Sequence, residues 1–314
     1  MERRFDALFL GMLNFDISVA GFAAEMCSRK QSYVPRIALG TGGDAVNCAV
    51  AFQQFGGKAA ICGRIGNDLQ GRALTDALQR CGVDTHALVI DPQRGTGTVV
   101  NLIQGDNEAS YVASLGANAA FCNADVPDEL LRQAKLVCVN SLFGCGALTA
   151  DVLRRARACG ALTAADTTTP PPDATLSQIA PYLAHLDYFL PSMGEARQLT
   201  GENDPAAAAE IFRRLGAKNV VIKLGSDGCY YDTETARGHL DGLRIRPVDF
   251  TGCGDNFAGA FLAALTSGHE ILSCVTAANA AGARAAEVLG AAAPACTLEE
   301  LDIYSQQHQK GKPQ

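Results

Sequence analysis

Val248-Asp249-Phe250-Thr251-Gly252-Cys253-Gly254-Asp255-Asn256-Phe257-Ala258-Gly259-Ala260-Phe261 reads as a β-like run that enters a Gly-rich turn and then a helix of small residues. Glycines at 252 and 254 let successive N–H groups converge at the helix N-terminus, where the macrodipole and unpaired donors favour an anion. Phosphate would repel a carboxylate beside such an anion hole, so Asp255 makes chemical sense as the acceptor of a proton from an attacking hydroxyl. A plainer reading competes with this one, in which a first-turn Asp complements the helix dipole.

Working outward from that stretch, apolar β-rich runs recur at Phe5–Leu10, Ala59–Ile65, Leu136–Val139, Leu162–Ala165, Tyr188–Leu190 and Val220–Leu224, mostly separated by Ala/Leu/Arg-rich amphipathic segments. This alternation predicts an α/β fold, a mainly parallel sheet between helices. Two regions break the rhythm, Ile17–Leu39 and Leu88–Ala113, and read as a small β-sheet, a lid, added to the body. Ala-rich helix is expected from Ala258 to Leu289, and a last helix from Thr297, with a frayed tail after Tyr304. The triple proline at Pro170–Pro172 reads as a loop after a strand. With no repeat, linker or charge block, residues 1–314 are expected to form one domain.

The 314 residues, 48% hydrophobic and 19% charged, are those of a compact globule. A net charge of -7 argues against a nucleic-acid partner, although ATP can bind where its phosphates are neutralised locally. The twelve cysteines contain no C-x-x-C and the five histidines stand apart from them, which predicts reduced thiols in a cytoplasm and no zinc site. No apolar segment approaches the roughly 20 residues of a membrane span. Gly40-Thr41-Gly42-Gly43-Asp44-Ala45 fits a loose dinucleotide fingerprint, but the second strand of that unit, AAICGRIG, ends in Gly and Asn rather than an acidic residue. The sequence has no G-x-x-x-x-G-K-[ST] and hence no standard P-loop.

VDFTGCGDNFAGAF resembles the C-terminal signature of the PfkB/ribokinase family, normally D-T-x-G-A-G-D-x-F, with Phe250 and Cys253 in place of Thr and Ala. GTGGDAVNCAVAFQQFG at 40–56, followed by GRIGNDLQG at 63–71, resembles the family's N-terminal signature. The resemblance runs from about Phe5 to Leu289. It implies a three-layer α/β/α ribokinase-like fold with a β lid, and transfer of phosphate from ATP to a sugar hydroxyl with Mg²⁺. Gly252, Cys253 and Gly254 would form the anion hole, and Asp255 would be the base.

The same resemblance carries sugar binding onto Gly42, Gly43 and Asn47, with Asn14 and Asp16 as further hydroxyl partners; Asp44 stands where ribokinase itself has Lys. LPSMGEARQLTG at 190–201 is similar to the family's N-x-x-E motif, with Ser192 in place of Asn and Glu195 organising Mg²⁺ through water. Glu195 also reads as a surface carboxylate at a helix start. VVIKLGSDGCYY at 220–231 reads as strand, turn, strand. The family places ATP against this turn, at Gly225, Ser226 and Gly228, while Lys223 is open between phosphate ligand and snorkelling strand residue. Asn279 is a candidate adenine contact. Asp166, at a strand's C-terminal end, reads either as a member of the metal neighbourhood or as a turn cap. Asp249 and Thr251 lie where ribokinase-like members hold a monovalent cation such as K⁺.

Family members often pair through their lids, so a homodimer is expected. Two alternatives accompany the sugar-kinase reading: a nucleoside kinase of the same family, and a catalytically silent sugar sensor, against which the intact Gly252–Asp255 turn argues. The lid regions offer only Phe22, Tyr33 and Tyr111 as rings for a nucleobase, which favours a monosaccharide or sugar acid.

Overall fold

The computed structural model describes residues 3–104, 109–167, 169–288, 290 and 295–309. The chain opens with β1 (Phe5–Leu10), β2 (Asn14–Ala20) and β3 (Arg36–Gly42), then α1 (Asp44–Gln54), β4 (Ala59–Cys62), β5 (Arg64–Gly66) and α2 (Leu69–Arg80). Three short strands, β6 (Val89–Asp91), β7 (Gly97–Ile103) and β8 (Ala109–Ser114), precede α3 (Asp128–Arg132), β9 (Ala134–Val139), α4 (Asp151–Ala158), β10 (Leu162–Ala165) and α5 (Leu176–Leu183). There follow β11 (Tyr188–Phe189), α6 (Met193–Thr200), α7 (Pro205–Arg214), β12 (Asn219–Lys223), β13 (Cys229–Asp232) and β14 (Arg237–Leu240). The described chain ends with α8 (Cys253–Thr266), α9 (Ile271–Ala286) and α10 (Leu298–Gln307).

Eight strands form the main sheet in the order β14-β13-β12-β11-β10-β9-β1-β4. Pairings from β4 through β12 are parallel, and β13 and β14 add an antiparallel edge. Because side chains alternate across a strand, the buried strands feed two cores. Ala7, Phe9, Ile61, Leu136 and Val221 pack with α1, α2, α8 and α9 on one face. Leu8, Leu10, Ala60, Val137 and Val220 pack with α4 to α7 on the other. The body is thus the three-layer α/β/α sandwich expected, and among the described residues no helix is long and apolar enough to cross a membrane.

The second sheet, in the order β3-β2-β7-β8, is the lid. Its limits differ from those read in the sequence. It begins at Asn14, three residues before Ile17, and takes in Gly40–Gly42, so the N-terminal glycine signature is itself partly lid strand. Within Leu88–Ala113 only β7 and β8 join it, while Val89–Asp91 pairs in parallel with β5; residues 105–108 of that segment lie outside the described residues.

The run Ala59–Ile65 is likewise not one strand. It leaves the main sheet at Gly63, where Leu13 packs against the backbone, and Arg64 turns to a bidentate ion pair with Asp125. The helix expected from Ala258 to Leu289 is two helices, starting earlier at Cys253 and broken over Ser267–Glu270; Leu289 lies outside the described residues. Val248–Phe250 is no strand. The N–H groups of Val248 and Asp249 both donate to Ala286 O at the end of α9, and Val248 and Phe250 are exposed. Thr297 does cap α10 through a reciprocal capping box with Glu300, and that helix runs on past Tyr304 to Gln307. Of the expected frayed tail, residues 310–314 lie outside the described residues.

Candidate active site

The C-terminal ends of β1, β9, β10 and β12, the N-termini of α1 and α8, and the lid's β2 and β3 meet at one place. Gly252 is the N-cap of α8 at φ 74°, a left-handed conformation that a side chain disfavours, and it aims the first turn of this 14-residue helix outward. Of the expected anion hole Gly252–Gly254, Cys253 N instead donates back to Phe250 O at 3.3 Å, which leaves the N–H groups of Gly254 and Asp255 as the turn's candidate anion donors.

Beside them stands Lys223, at the end of β12, whose Nζ lies 2.7 Å from each oxygen of Asp166. A Cβ built on Gly254 would sit 3.4 Å from that Nζ, so ammonium and helix N-terminus face the same space. Burial works against the Lys223 charge, yet Asp166, Glu195 and Asp255 more than offset it and hold the ammonium protonated. Burial raises Asp166 while Lys223 draws it back.

Asp255 lies in the first turn of α8 and accepts a hydrogen bond from Asn47 Nδ2 at 2.9 Å. Burial raises its pKa well above the usual carboxylate range and the charge of Asp44 adds to this; Asn47 and Lys223 oppose the shift. Asn47, expected to bind sugar, thus has part of its amide committed to holding Asp255. Asn14 and Asp16 lie on the same face of β2. The side-chain oxygen of Asn14 accepts from Asn118 Nδ2 at 2.9 Å, and Asn118 also clamps both backbone groups of Leu13. Burial pushes Asp16 up to about 6; Asn101 opposes the shift and Asp44 adds to it. A Cβ at Gly42 would come within 2.4 Å of the Asp16 carboxylate, which is why the facing strand carries glycine there. Gly43 is the N-cap of α1.

On the other side of α8 lies a cavity of about 540 Å³, lined by Lys223, Gly225, Ser226, Gly228, Leu243, Phe250, Cys253, Gly254, Phe257 and Asn279 among others. Asn279 lines it from α9, with Nδ2 donating to Asp241 O at 2.9 Å. Ser192 and Glu195 form a reciprocal capping box at the start of α6, with Ser192 N donating to Glu195 Oε2 at 2.7 Å, and Thr167 Oγ1 donates to the same oxygen. Ser192 therefore serves as a helix cap, a task at which serine equals asparagine. Asp249 accepts from Thr251 N, Thr251 Oγ1 and Gly290 N, knotting the turn to the end of α9, and these bonds hold its carboxyl below the usual range although burial opposes them.

Several residues here went unassigned in the sequence: Asn118, Asn140, Ser141 and Asn101. Asn140 could have been found, because it follows the apolar run Leu136–Val139 as Asp166 follows Leu162–Ala165. Asn118 and Asn101 carry no such local signal.

Asp255 and the N–H groups of the first turn of α8, with Lys223 beside them, lie next to a cavity of about 540 Å³ and near the strand β2 that carries Asn14 and Asp16, and groups of these kinds are those that phosphoryl transfer to an alcohol uses. Residues 8–298 match the model of the pfkB family carbohydrate kinases, and the chain belongs to that family. It is 29% identical over 290 residues to a 2-dehydro-3-deoxygluconokinase of Bacillus subtilis, covering 86% of this chain and 88% of the relative. It is 26% identical over 274 residues to fructokinase-2 of Solanum lycopersicum, with 83% of each chain covered. The crystal structure of a PfkB protein from Polaromonas sp. JS666 superposes with a TM-score of 0.81 at 26% identity, over 95% of this chain and 99% of that one. Arabidopsis thaliana ribokinase complexed with ribose and ATP superposes at 0.83 over 98% and 99%, and at 23% identity this likeness speaks for the fold alone.

Proposed function

We propose that this carbohydrate kinase transfers the γ-phosphoryl group of ATP to a hydroxyl of a small sugar, with Asp255 as general base. The observation that carries the reading is Asp255 in the first turn of α8, hydrogen-bonded by Asn47 and directly after Cys253 and Gly254, which line the cavity of about 540 Å³. Asp255 takes the hydroxyl proton as the sugar oxygen bonds to phosphorus, and the bond from the γ-phosphorus to the bridging oxygen breaks to release ADP. The N–H groups of Gly254 and Asp255, with Lys223, stabilise charge on the moving group.

The oxygens of Glu195 and Asp166 suit Mg²⁺ held through water, since Asp166 is occupied by Lys223 and the described residues contain no cluster of three ligating side chains. When bound, Mg²⁺ neutralises the nucleotide's phosphates. A monovalent cation at Asp249 and Thr251 rests on family resemblance; the knot these residues make holds the turn without one. Pairing of two copies through the lid is supported by Tyr33, Ile37, Leu39, Tyr111 and Val112, all exposed on lid segments. A cytoplasmic location fits the composition.

The curated relatives' names point to a sugar acid in one case and fructose in the other. Tyr33 and Tyr111 are 83% and 66% exposed, a poor setting for stacking a nucleobase under the lid. An ADP-release assay over sugars, sugar acids and nucleosides tests the reading. Turnover of a sugar supports it; the highest kcat/KM falling to adenosine, inosine or guanosine would reassign the acceptor, and no turnover with any alcohol would refute it.

A further inference from the structure

The cavity proposed to take the nucleotide has a lining residue that phosphoryl transfer does not require. Phe250, which stands where the family signature normally has Thr, lines it with a side chain that is 74% exposed. Among the described residues the other exposed rings are Tyr33 and Tyr111, both on the lid segments. Phe250 is not on a slack loop. Asp249, immediately before it, accepts from Thr251 N, Thr251 Oγ1 and Gly290 N, and the N–H groups of Val248 and Asp249 donate to Ala286 O at the end of α9. Phe250 O in turn accepts from Cys253 N at the start of α8. With its backbone tied to both helices, the ring is stationed at the cavity before a ligand arrives.

Apolar surface held in water is a cost that a ligand can remove, and a ring adds a flat face on which another ring stacks. The rest of the apolar lining includes Leu243 and Ile245, and Gly282, Ala283 and Ala286 from one face of α9, where the small side chains make a low wall. Lys223 and Gly254 line the same cavity and supply its charge and anion donors. A nucleotide whose phosphates lie at those two residues has its base left for the apolar lining, and a planar base suits a low helix wall and an exposed ring.

We infer that Phe250 is a nucleotide-binding residue particular to this chain, its ring packing on the face of the donor's base and contributing affinity without reading the base's hydrogen-bonding edge. The inference rests on the nucleotide reading of this cavity and adds a residue to it. Calorimetric titration of the full chain and of its Phe250→Thr variant with ADP, GDP and inorganic pyrophosphate provides the test. Phe250→Thr should weaken ADP and GDP alike by about tenfold, the scale of one base–ring stack, and leave the Kd of pyrophosphate within about twofold. The protein contains no tryptophan, so Phe250→Trp places a single reporter at this position. That variant should bind ADP within about threefold of wild type, because the ring is kept, and its emission should be quenched by ADP and not by pyrophosphate. Unchanged ADP affinity in Phe250→Thr, an equal loss of ADP and pyrophosphate, or equal quenching by the two ligands overturns the inference. Sugar-dependent ADP release by the wild-type protein keeps the two readings apart: turnover together with any of those results refutes the role of Phe250 alone, whereas no ADP binding to the wild-type protein refutes both.

Discussion

The two sides of α8 are finished to different degrees. On the nucleotide side, Lys223 pairs with both oxygens of Asp166, Glu195 closes a capping box with Ser192, Asn279 is tied to Asp241 and Asp249 knots its own turn. On the acceptor side, Asp16 and Asn140 keep buried polar atoms without partners among the described residues. A site that satisfies itself is rigid before its ligand arrives, whereas one with orphaned groups draws its order and its selectivity from the substrate. On the proposed reading, the half that would take the nucleotide is the one whose polar groups are already paired, and the half that would take the sugar is the one that keeps unpaired atoms.

The sharpest way to break this comparison is at its boundary. Asp255→Asn should lower kcat by about 10²–10⁴, the usual worth of a general base, while nucleotide affinity measured by calorimetry stays near wild type. Wild-type turnover in that variant would remove the proposed chemistry. Next in size, Lys223→Met strands the buried Asp166 and should cost about 3–5 kcal/mol of stability in urea unfolding, much of it recovered by adding Asp166→Asn. Equal losses in the single and double variants would show that the pair does not organise the nucleotide side.

Asp16→Ala should raise KM for the sugar about 10- to 100-fold and leave KM for ATP within twofold, because the proposed reading gives Asp16 a part in holding the acceptor and none in holding ATP. A parallel rise in both constants would merge the two halves.

The pH profile sharpens the picture further. Asp255 must be ionised to act, and burial raises its pKa, so kcat/KM should fall on the acid side at a higher pH than an ordinary carboxylate would give. Asp44→Asn removes a like charge and should move that limb to lower pH; replacing Asn47 with Ala removes a donor and should move it higher. The smallest effect is expected far from both sites. Thr297→Ala should cost about 1 kcal/mol through the lost cap of α10 and leave the kinetic constants alone.

Much of the body could be read from the chain. Alternating apolar runs and amphipathic segments gave six of the parallel-sheet strands, because a strand buried on both faces must be continuously apolar. The turn at Gly252–Asp255 was legible for a related reason: glycines, a small-residue helix and one acid at fixed spacing specify local geometry that needs no distant partner. The break of the Ala258–Leu289 run into two helices was less visible, since alanine suits a helix wherever packing allows one.

What the sequence by itself determined was the layered sheet, the hairpin at Val220–Tyr231, the cap at Thr297 and the turn that carries Asp255, all fixed by periodicity or by neighbours a few residues away. Only the tertiary structure decided that Asn47 holds Asp255, that Lys223 pairs with Asp166, and that Ser141 reaches Asp44. Those partners are 208, 57 and 97 residues apart in the chain. Their chemistry arises from burial, which raises carboxylate pKa values and leaves amide atoms wanting partners, and burial is a property of the folded molecule that no local stretch of sequence carries.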